Sequence, residues 1–222
     1  MAPRKKPAAE PWAALAAAGR VVIQRGLTWG TSGNISLRLD ANRFLISGTG
    51  TRLDALDRDN IAECEVATDR LSGPRQPSVE VNMHRAIYQS RPEARAILHT
   101  SAPFTTLLAC TRLDLSRHFS TDGLYYVRRV VRIPFRNPGS LELAEATRQH
   151  CHEARVLLLD NHGSICWGES LHEVVTSTEA LEFNAAILVR ARAAGIDLAT
   201  FTPEEIAHFS YQTGVPREGI DS

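Results

Sequence analysis

Short strand-like stretches and amphipathic helical stretches alternate irregularly along this chain, and no linker separates them. Residues 156–159 are wholly apolar, as in a strand buried on both faces, whereas residues 171–194 carry an apolar stripe at helical spacing. A chain of 222 residues is long enough for one domain with a large core and short for two. The pattern therefore predicts one α/β domain, with helices on both faces of a central sheet, after a disordered tail over residues 1–10.

The individual elements follow from the same periodicities. Pro77-Ser78 indicates a helix start with Ser78 as the N-cap. The predicted strands are 35–39, 43–47, 61–66, 96–100, 126–134, 156–159 and 165–167. The predicted helices lie near 12–25, 78–90, 103–110, 140–153 and 171–194, with another beginning at Thr202.

Charge and cysteine content exclude several classes of protein. The chain has 25 Lys and Arg residues and 25 Asp and Glu residues. This balance argues against a protein that binds nucleic acid through phosphate contacts and against a polybasic membrane-surface protein. No apolar run approaches the ~20 residues of a membrane-spanning helix. The 4 cysteines are scattered without a Cys-x-x-Cys pair, which predicts neither a disulfide framework nor a cysteine zinc site. We expect a cytoplasmic protein with a small-molecule partner, no nucleic acid and no membrane.

Three ionisable side chains stand at the ends of predicted elements. Glu80 lies at the start of a helix, His99 at the end of a strand and His162 in the turn after a strand. Two histidines and one carboxylate are a sufficient ligand set for Zn²⁺, Fe²⁺ or Mn²⁺, with positions left open for substrate. Each residue alone also fits a structural role, since a strand-end histidine is commonly packed and an acidic first turn favours the helix dipole.

Two loops rich in glycine and hydroxyl groups are candidates for binding an anion. Backbone N–H groups near Gly33 and Gly50, with the hydroxyls of Thr31, Thr49 and Ser78, have the chemistry to cradle a phosphate. Neither a Walker loop nor a dinucleotide-binding fingerprint is present. Ordinary turns remain the alternative for each loop taken alone.

The order of the motifs is more specific than any one of them. The chain contains Gly-Thr-Ser-Gly-Asn-Ile-Ser-x-Arg at 30–38, Leu-Ile-Ser-Gly-Thr-Gly at 45–50, Pro-Ser-Val-Glu at 77–80, Met-His-x-x-Ile-Tyr at 83–88, His-Thr-Ser at 99–101 and Asn-His-Gly at 161–163. Together these resemble the class II aldolase/adducin family, from about Trp12 to Ile206. The resemblance implies one domain over 11–222, built as a three-layer α/β/α sandwich around a mostly antiparallel sheet. It also implies a homotetramer with active sites between subunits.

The resemblance further implies roles for named positions. Glu80 matches the family's catalytic carboxylate, and His99 and His162 match two of its zinc histidines, with Glu80 available to complete the ligand set. The expected substrate-binding residues are Thr31, Gly33, Asn34, Thr49, Gly50, Ser78 and Ser101.

Three departures from the family pattern bear on the chemistry. Ser101 stands where the family has the second histidine of its zinc pair, and a hydroxyl is a poorer zinc ligand than an imidazole. Val79 replaces a phosphate-binding serine. Phe119 stands where the aldolase has a tyrosine proton donor, and phenylalanine has no proton to give. His118 as a ligand, and Tyr125, Tyr126, Tyr211 or water as proton donor, are possible replacements.

These residues predict a metal-dependent lyase that cleaves a small sugar phosphate or sugar acid by a retro-aldol step through an enediolate. The divalent metal stabilises the developing negative charge, and a carboxylate moves the proton. Decarboxylation, dehydration or epimerisation through the same enediolate are alternatives. A non-catalytic, adducin-like assembly module is the alternative from another class.

Overall fold

Seven strands form one mixed sheet in the computed structural model, which describes residues 10–71 and 75–216. The strands are β1 (Asn34–Arg38), β2 (Arg43–Ser47), β3 (Ile61–Glu65), β4 (Ala96–Thr100), β5 (Val130–Ile133), β6 (Val156–Leu159) and β7 (Gly163–Gly168). The helices are α1 (Pro11–Gln24), α2 (Val81–Ser90), α3 (Pro103–Ala109), α4 (Leu141–His150), α5 (Leu171–Ala194) and α6 (Pro203–Thr213). The expected tail falls almost wholly on residues 1–9, which lie outside the described residues.

The strand order is β3-β2-β1-β4-β7-β6-β5, and every neighbouring pair is antiparallel except β5 and β6. The chain is therefore a single-domain α/β fold with a mostly antiparallel sheet. Within the described ranges, no helix is both long and apolar enough to cross a membrane.

Side chains alternate between the two faces of the sheet, and each face carries its own helices. Ile97 of β4 packs in a cluster with residues of α2 and α4, whereas its neighbours Ala96 and Leu98 pack with residues of α1 and α5. A third cluster joins β6, α3 and α5 around Leu158 and Leu181. Because a fully buried aliphatic side chain contributes about 1.5–3 kcal/mol relative to an exposed one, these clusters hold the sheet rigid beneath the loops at its ends.

Helix α2 begins later than its sequence predicts. The Ser78 backbone N–H donates to the Ser47 carbonyl at 3.0 Å, and Pro77 bridges Gly48, so this segment is tied to the end of β2. The Ser78 hydroxyl accepts from the Glu80 N–H at 3.2 Å in a short turn rather than acting as the helix N-cap. The helix starts at Val81 with Glu80 at the cap position, and the predicted start at Ser78 is wrong.

The strand predicted over 126–134 is shorter than expected. Residues Gly123–Val127 form a π-helical turn, in which the Arg128 N–H donates to the Gly123 carbonyl at 2.7 Å. Arg128 has φ 54°, a left-handed conformation that breaks an extended strand. Strand β5 therefore begins only at Val130.

Candidate active site

The three predicted ionisable residues meet at one end of the sheet. Glu80 Oε2 lies 3.1 Å from His99 Nε2, and Glu80 Oε1 lies 3.1 Å from His162 Nε2. The two imidazole centroids are 4.8 Å apart. Glu80 and His99 are buried, and the His162 side chain is only slightly exposed.

Strand register explains why residues so far apart in sequence meet. Asn34, the first residue of β1, pairs with His99 near the end of β4. On the other side of β4, Thr100 pairs with Ser164 of β7, so the turn before β7 lies beside the same strand end. His162 sits in that turn, between β6 and β7.

The Asn-His-Gly turn allows a close approach that larger residues would block. Asn161 adopts φ 57°, a left-handed conformation that asparagine tolerates better than most residues. A Cβ on Gly163 would lie 2.3 Å from the Thr100 carbonyl oxygen. Glycine is therefore required at 163 for His162 to reach the end of β4. Gly33 plays a similar part on the other side of that strand, since its Cβ would lie 2.9 Å from the His99 carbonyl oxygen.

The hydrogen bonding of His99 fits a bound cation. Its Nδ1 lies 2.9 Å from the Ser164 carbonyl oxygen, which only accepts, so Nδ1 carries the proton. Burial lowers the pKa of His99 despite the opposing effect of Glu80. With Nδ1–H donated to Ser164, Nε2 of His99 faces the Glu80 carboxylate at 3.1 Å and is placed to share a proton or a bound cation with it. A histidine that donates its other N–H to a backbone carbonyl is the usual arrangement of a metal ligand.

Glu80 is held as a carboxylate, and both of its oxygens face nitrogen atoms of the site. Its Oε2 accepts a hydrogen bond from Asn34 Nδ2 at 2.9 Å. Its Oε1 is buried and makes no hydrogen bond, and His162 Nδ1 is likewise buried without a partner. Burial alone would raise the pKa of Glu80, but His99, His162 and Asn34 outweigh it and hold that pKa well below its usual range.

These features fit a divalent metal. One ligand atom each from Glu80, His99 and His162 lies within 4.8 Å of the other two. Within residues 10–71 and 75–216, this is the one group of three or more His, Cys, Asp and Glu side chains close enough to hold a metal. His118, a suggested further ligand, is not among the three.

All the predicted substrate-binding residues surround one cavity above this cluster. The cavity has a volume of about 200 Å³. Its walls include Thr31, Gly33, Asn34, Thr49, Gly50, Ser78 and Ser101, together with Glu80, His99 and His162. Ser32, Gly48, Val79 and Pro138 also line it, and of these only Val79 was singled out from the sequence.

The hydroxyl groups in the cavity retain hydrogen-bonding capacity. Ser78 Oγ accepts from the Glu80 amide, which leaves its own O–H free to donate. Ser101 Oγ lies 3.0 Å from Ser32 Oγ and 3.5 Å from the His162 carbonyl oxygen. The hydroxyl of Ser101 therefore reaches the edge of the ionisable cluster, at the position where the family has a histidine.

A row of buried polar side chains behind Glu80 was not predicted as a unit. His84 contacts both Asn34 and Ser36, and Ser36 also contacts the hydroxyl of Tyr88. Burial lowers the pKa of His84 to about 3. The signal is present in the sequence, because Glu80, His84 and Tyr88 recur every four residues on a helix while Asn34 and Ser36 alternate on a strand.

The alternative proton donors lie elsewhere in the chain. Tyr125 and Tyr126 line a different cavity, together with Arg128 and Trp167, and the Tyr211 side chain is 84% exposed. Phe119 packs against the cluster of α3, α5 and β6.

Comparison with known proteins identifies one family. The model of the class II aldolase and adducin N-terminal domain matches residues 13–189. A 3-oxo-tetronate 4-phosphate decarboxylase of Haemophilus influenzae is 35% identical over 173 residues, which cover 76% of this chain and 82% of the relative. An L-fuculose phosphate aldolase of Methanocaldococcus jannaschii is 29% identical over 168 residues, covering 76% of this chain and 90% of the relative.

Solved structures agree with the sequence comparisons. YgbL from Klebsiella pneumoniae superposes with a TM-score of 0.83 at 28% identity, covering 90% of this chain and 97% of the other. The L-fuculose-1-phosphate aldolase of Thermus thermophilus superposes with a TM-score of 0.73 at 27% identity, covering 85% and 97% of the two chains.

Proposed function

Because the chain belongs to the class II aldolase and adducin N-terminal domain family, we propose that it is a metal-dependent carbon–carbon lyase. Its substrate is a small sugar phosphate or sugar acid, and the bond that breaks lies next to a carbonyl group. The observation that carries this proposal is the convergence of Glu80, His99 and His162 beneath a cavity rich in hydroxyl groups.

Glu80 is the residue that moves the proton. The donation from Asn34 fixes Oε2, and we assign the proton transfer to Oε1, which lies 3.1 Å from His162 Nε2. A carboxylate with a depressed pKa enters the reaction ionised, as a base. When bound by His99, His162 and Glu80, a divalent metal supplies Lewis-acid stabilisation of the negative charge that develops beside the carbonyl.

The remaining cavity residues bind and orient the substrate. The hydroxyls of Thr31, Thr49 and Ser78 and the amide of Asn34 are neutral hydrogen-bond donors, suited to a phosphate or a carboxylate. The exposed Val79 side chain places an aliphatic surface at this cavity where a hydroxyl is expected. We therefore propose fewer hydroxyl contacts to the substrate anion than the family pattern implies.

Decarboxylation is the second candidate, and a specific observation favours it. The relative that is 35% identical is a 3-oxo-tetronate 4-phosphate decarboxylase, whereas the aldolase of Methanocaldococcus jannaschii is 29% identical. Both reactions break a carbon–carbon bond and leave negative charge beside a carbonyl. Incubation with each of the two substrates named for these relatives separates the candidates, since an aldolase releases an aldehyde and a decarboxylase releases CO₂.

The first experiment measures metal per subunit in gently purified protein and compares it with His162→Ala. We expect about one equivalent in the wild type. The substitution should abolish metal retention and lower turnover by more than about 100-fold, because loss even of an outer-sphere partner costs about 10–100-fold. His172→Ala, which alters an exposed histidine of α5, is the matched control and should keep both.

Two outcomes would contradict the proposal. Activity that survives His162→Ala would exclude the metal-assisted mechanism. Wild-type protein that takes up no Zn²⁺, Mn²⁺ or Fe²⁺ on reconstitution, and for which His162→Ala is silent, would indicate an assembly module.

Several finer features belong to the same proposal. We take the metal to be Zn²⁺ because two imidazoles and a carboxylate are a common catalytic zinc set, with Mn²⁺ and Fe²⁺ as alternatives.

The placement of helices on both faces of the sheet supports a three-layer sandwich. The exposed Trp29 and Tyr211 side chains, at 71% and 84%, support burial in a homotetramer rather than in the core. Four free cysteines support a cytoplasmic location. A role in carbohydrate metabolism follows from the proposed substrate class.

A further inference from the structure

A hydrogen-bonded series of five polar side chains runs from the core to Oε2 of Glu80, the carboxylate oxygen that Asn34 contacts. The Tyr88 hydroxyl lies 2.8 Å from Ser36 Oγ, which lies 2.7 Å from His84 Nδ1. His84 Nε2 lies 2.5 Å from Asn34 Oδ1, and Asn34 Nδ2 lies 2.9 Å from Glu80 Oε2. All five residues are buried, between 0% and 5% exposed.

The position of each proton in this hydrogen-bonded series follows from the Glu80 carboxylate at its end. An ionised carboxylate only accepts, so Asn34 must present its NH₂ group to Glu80 and its Oδ1 to His84. Oδ1 also only accepts, and His84 must therefore carry its proton on Nε2. The Nδ1 of that neutral ring accepts from the Ser36 hydroxyl. Ser36 Oγ then accepts from the hydroxyl of Tyr88.

We propose that His84 is a positioning residue for the catalytic carboxylate. Its Nε2–H fixes the amide of Asn34, whose NH₂ group holds Glu80 Oε2 and so leaves Oε1 as the oxygen that faces the reacting proton. Ser36 stabilises this tautomer of His84 by donating to its Nδ1, which would otherwise be a buried acceptor without a partner. The effect on turnover rests on the proposed function, whereas the proton positions do not.

The opposite tautomer of His84 would defeat the arrangement. A lone pair on Nε2 would face Oδ1 of Asn34 at 2.5 Å, and the amide would rotate to relieve the repulsion. Rotation would direct Oδ1 at the Glu80 carboxylate, where two acceptors would again face each other. The hydroxyl of Ser36, two positions from the site residue Asn34, therefore stabilises the His84 tautomer that orders Asn34 against Glu80.

Nuclear magnetic resonance of histidine- and asparagine-labelled protein tests these positions directly. In the wild type we expect one neutral His84 tautomer protonated at Nε2, identified by the ring signals that disappear in His84→Gln. The side-chain NH₂ of Asn34 should exchange slowly with solvent, because it is buried and donates to Glu80. A His84 ring that is charged, or protonated at Nδ1, at neutral pH would overturn the proposal.

Substitution of Ser36 tests the positioning role. Ser36→Ala should give mixed His84 tautomers, faster exchange at the Asn34 amide and a kcat about 10-fold lower, with KM and metal content little changed. Ser36→Thr keeps the hydroxyl and should show the wild-type tautomer, amide exchange and kcat. Tyr88→Phe should keep the wild-type tautomer because the hydrogen bond from Ser36 to His84 survives. Should Ser36→Ala not fold, Ser36→Cys gives the same test, since a thiol is a weak donor.

The outcomes separate this inference from the proposed function. Unchanged tautomer and amide exchange in Ser36→Ala would contradict the positioning role even if turnover fell. A shifted tautomer with unchanged kcat would also contradict it. A wild-type protein without metal or turnover would contradict the proposed function, while the ring and amide signals would still decide whether His84 orders Asn34.

Discussion

At the scale of single residues, we expect Ser101 to limit how tightly the proposed site can hold a metal. Its hydroxyl lies at the edge of the cluster, 3.5 Å from the His162 carbonyl oxygen, and lines the cavity between the two histidines and the loop of Ser32. A serine hydroxyl is a weak zinc ligand, so the proposed site offers a metal two imidazoles and one carboxylate. We predict that Ser101→His raises Zn²⁺ affinity by at least about 10-fold, since it adds a strong nitrogen ligand.

Competition with a chromophoric chelator would measure this change in affinity. Ser101→Ala is the matched control, because it removes the hydroxyl without adding a ligand and should leave Zn²⁺ affinity within about 2-fold of the wild type. A Ser101→His protein that binds no more tightly would show that residue 101 does not face the metal position.

The sequence identified the residue types of the site better than their contacts. Glu80, His99 and His162 stood out because each combined ligand chemistry with the end of an element. Their distances could not be predicted, since 19 residues separate the first two in sequence and 63 the last two, and only strand register brings them together. Trp29, beside one of the predicted anion-binding loops, is 71% exposed and so lies outside the core.

At the scale of elements, the turn between β6 and β7 positions His162. Gly163 has φ 154° and leaves no room for a Cβ beside the Thr100 carbonyl. We predict that Gly163→Ala destabilises the fold by more than about 1 kcal/mol, because the turn must move away from β4. Displacement of His162 should also lower metal content, which elemental analysis and chemical denaturation would measure together.

Gly195→Ala is the matched control for that prediction. Gly195 also has a positive φ, 67°, but no atom lies within 4 Å of the position its Cβ would take. It caps the far end of α5, so alanine there should cost stability through the backbone conformation alone. Equal metal content in the two variants would show that the close approach at Gly163 is not what positions His162.

Periodicity predicted most elements and failed where loops make specific bonds. The stretches around β6 and α5 were recognised because apolar spacing alone defines them. The predicted start of α2 failed because hydrogen bonds tie Ser78 to the end of β2, and those partners lie 31 residues away in sequence. The strand over 126–134 was predicted too long because its alternating valines gave no sign of the left-handed Arg128.

At the scale of the whole molecule, the class of fold was predictable and the strand order was not. Short strands mixed with amphipathic helices indicate an α/β domain, and the motif order led to the family expectation of an antiparallel sheet. The arrangement β3-β2-β1-β4-β7-β6-β5 depends on packing between distant segments, for which local patterns hold no information. That order places β1, β4 and β7 side by side and so creates the site.

The buried network behind the site should also make the fold sensitive to acid. The pKa of His84 falls from 6.5 to about 3 on burial, so between these values the unfolded chain binds a proton that the folded protein does not. Stability therefore rises with pH across that window, and it is lost as pH falls below about 6.5. One such proton corresponds to a slope of about 1.4 kcal/mol per pH unit.

We predict that His84→Gln lowers this slope by up to about 1.4 kcal/mol per pH unit between pH 4 and 6, because glutamine does not titrate. Denaturant unfolding at several pH values, with a chelator present in every sample, would measure it without a contribution from metal binding. His172→Ala, at an exposed position, should keep the wild-type slope. The variant will be less stable overall, since it disturbs a buried network, but only the slope tests the protonation of His84. Parallel curves for wild type and His84→Gln would contradict the prediction, because they would mean that His84 is already charged in the folded protein.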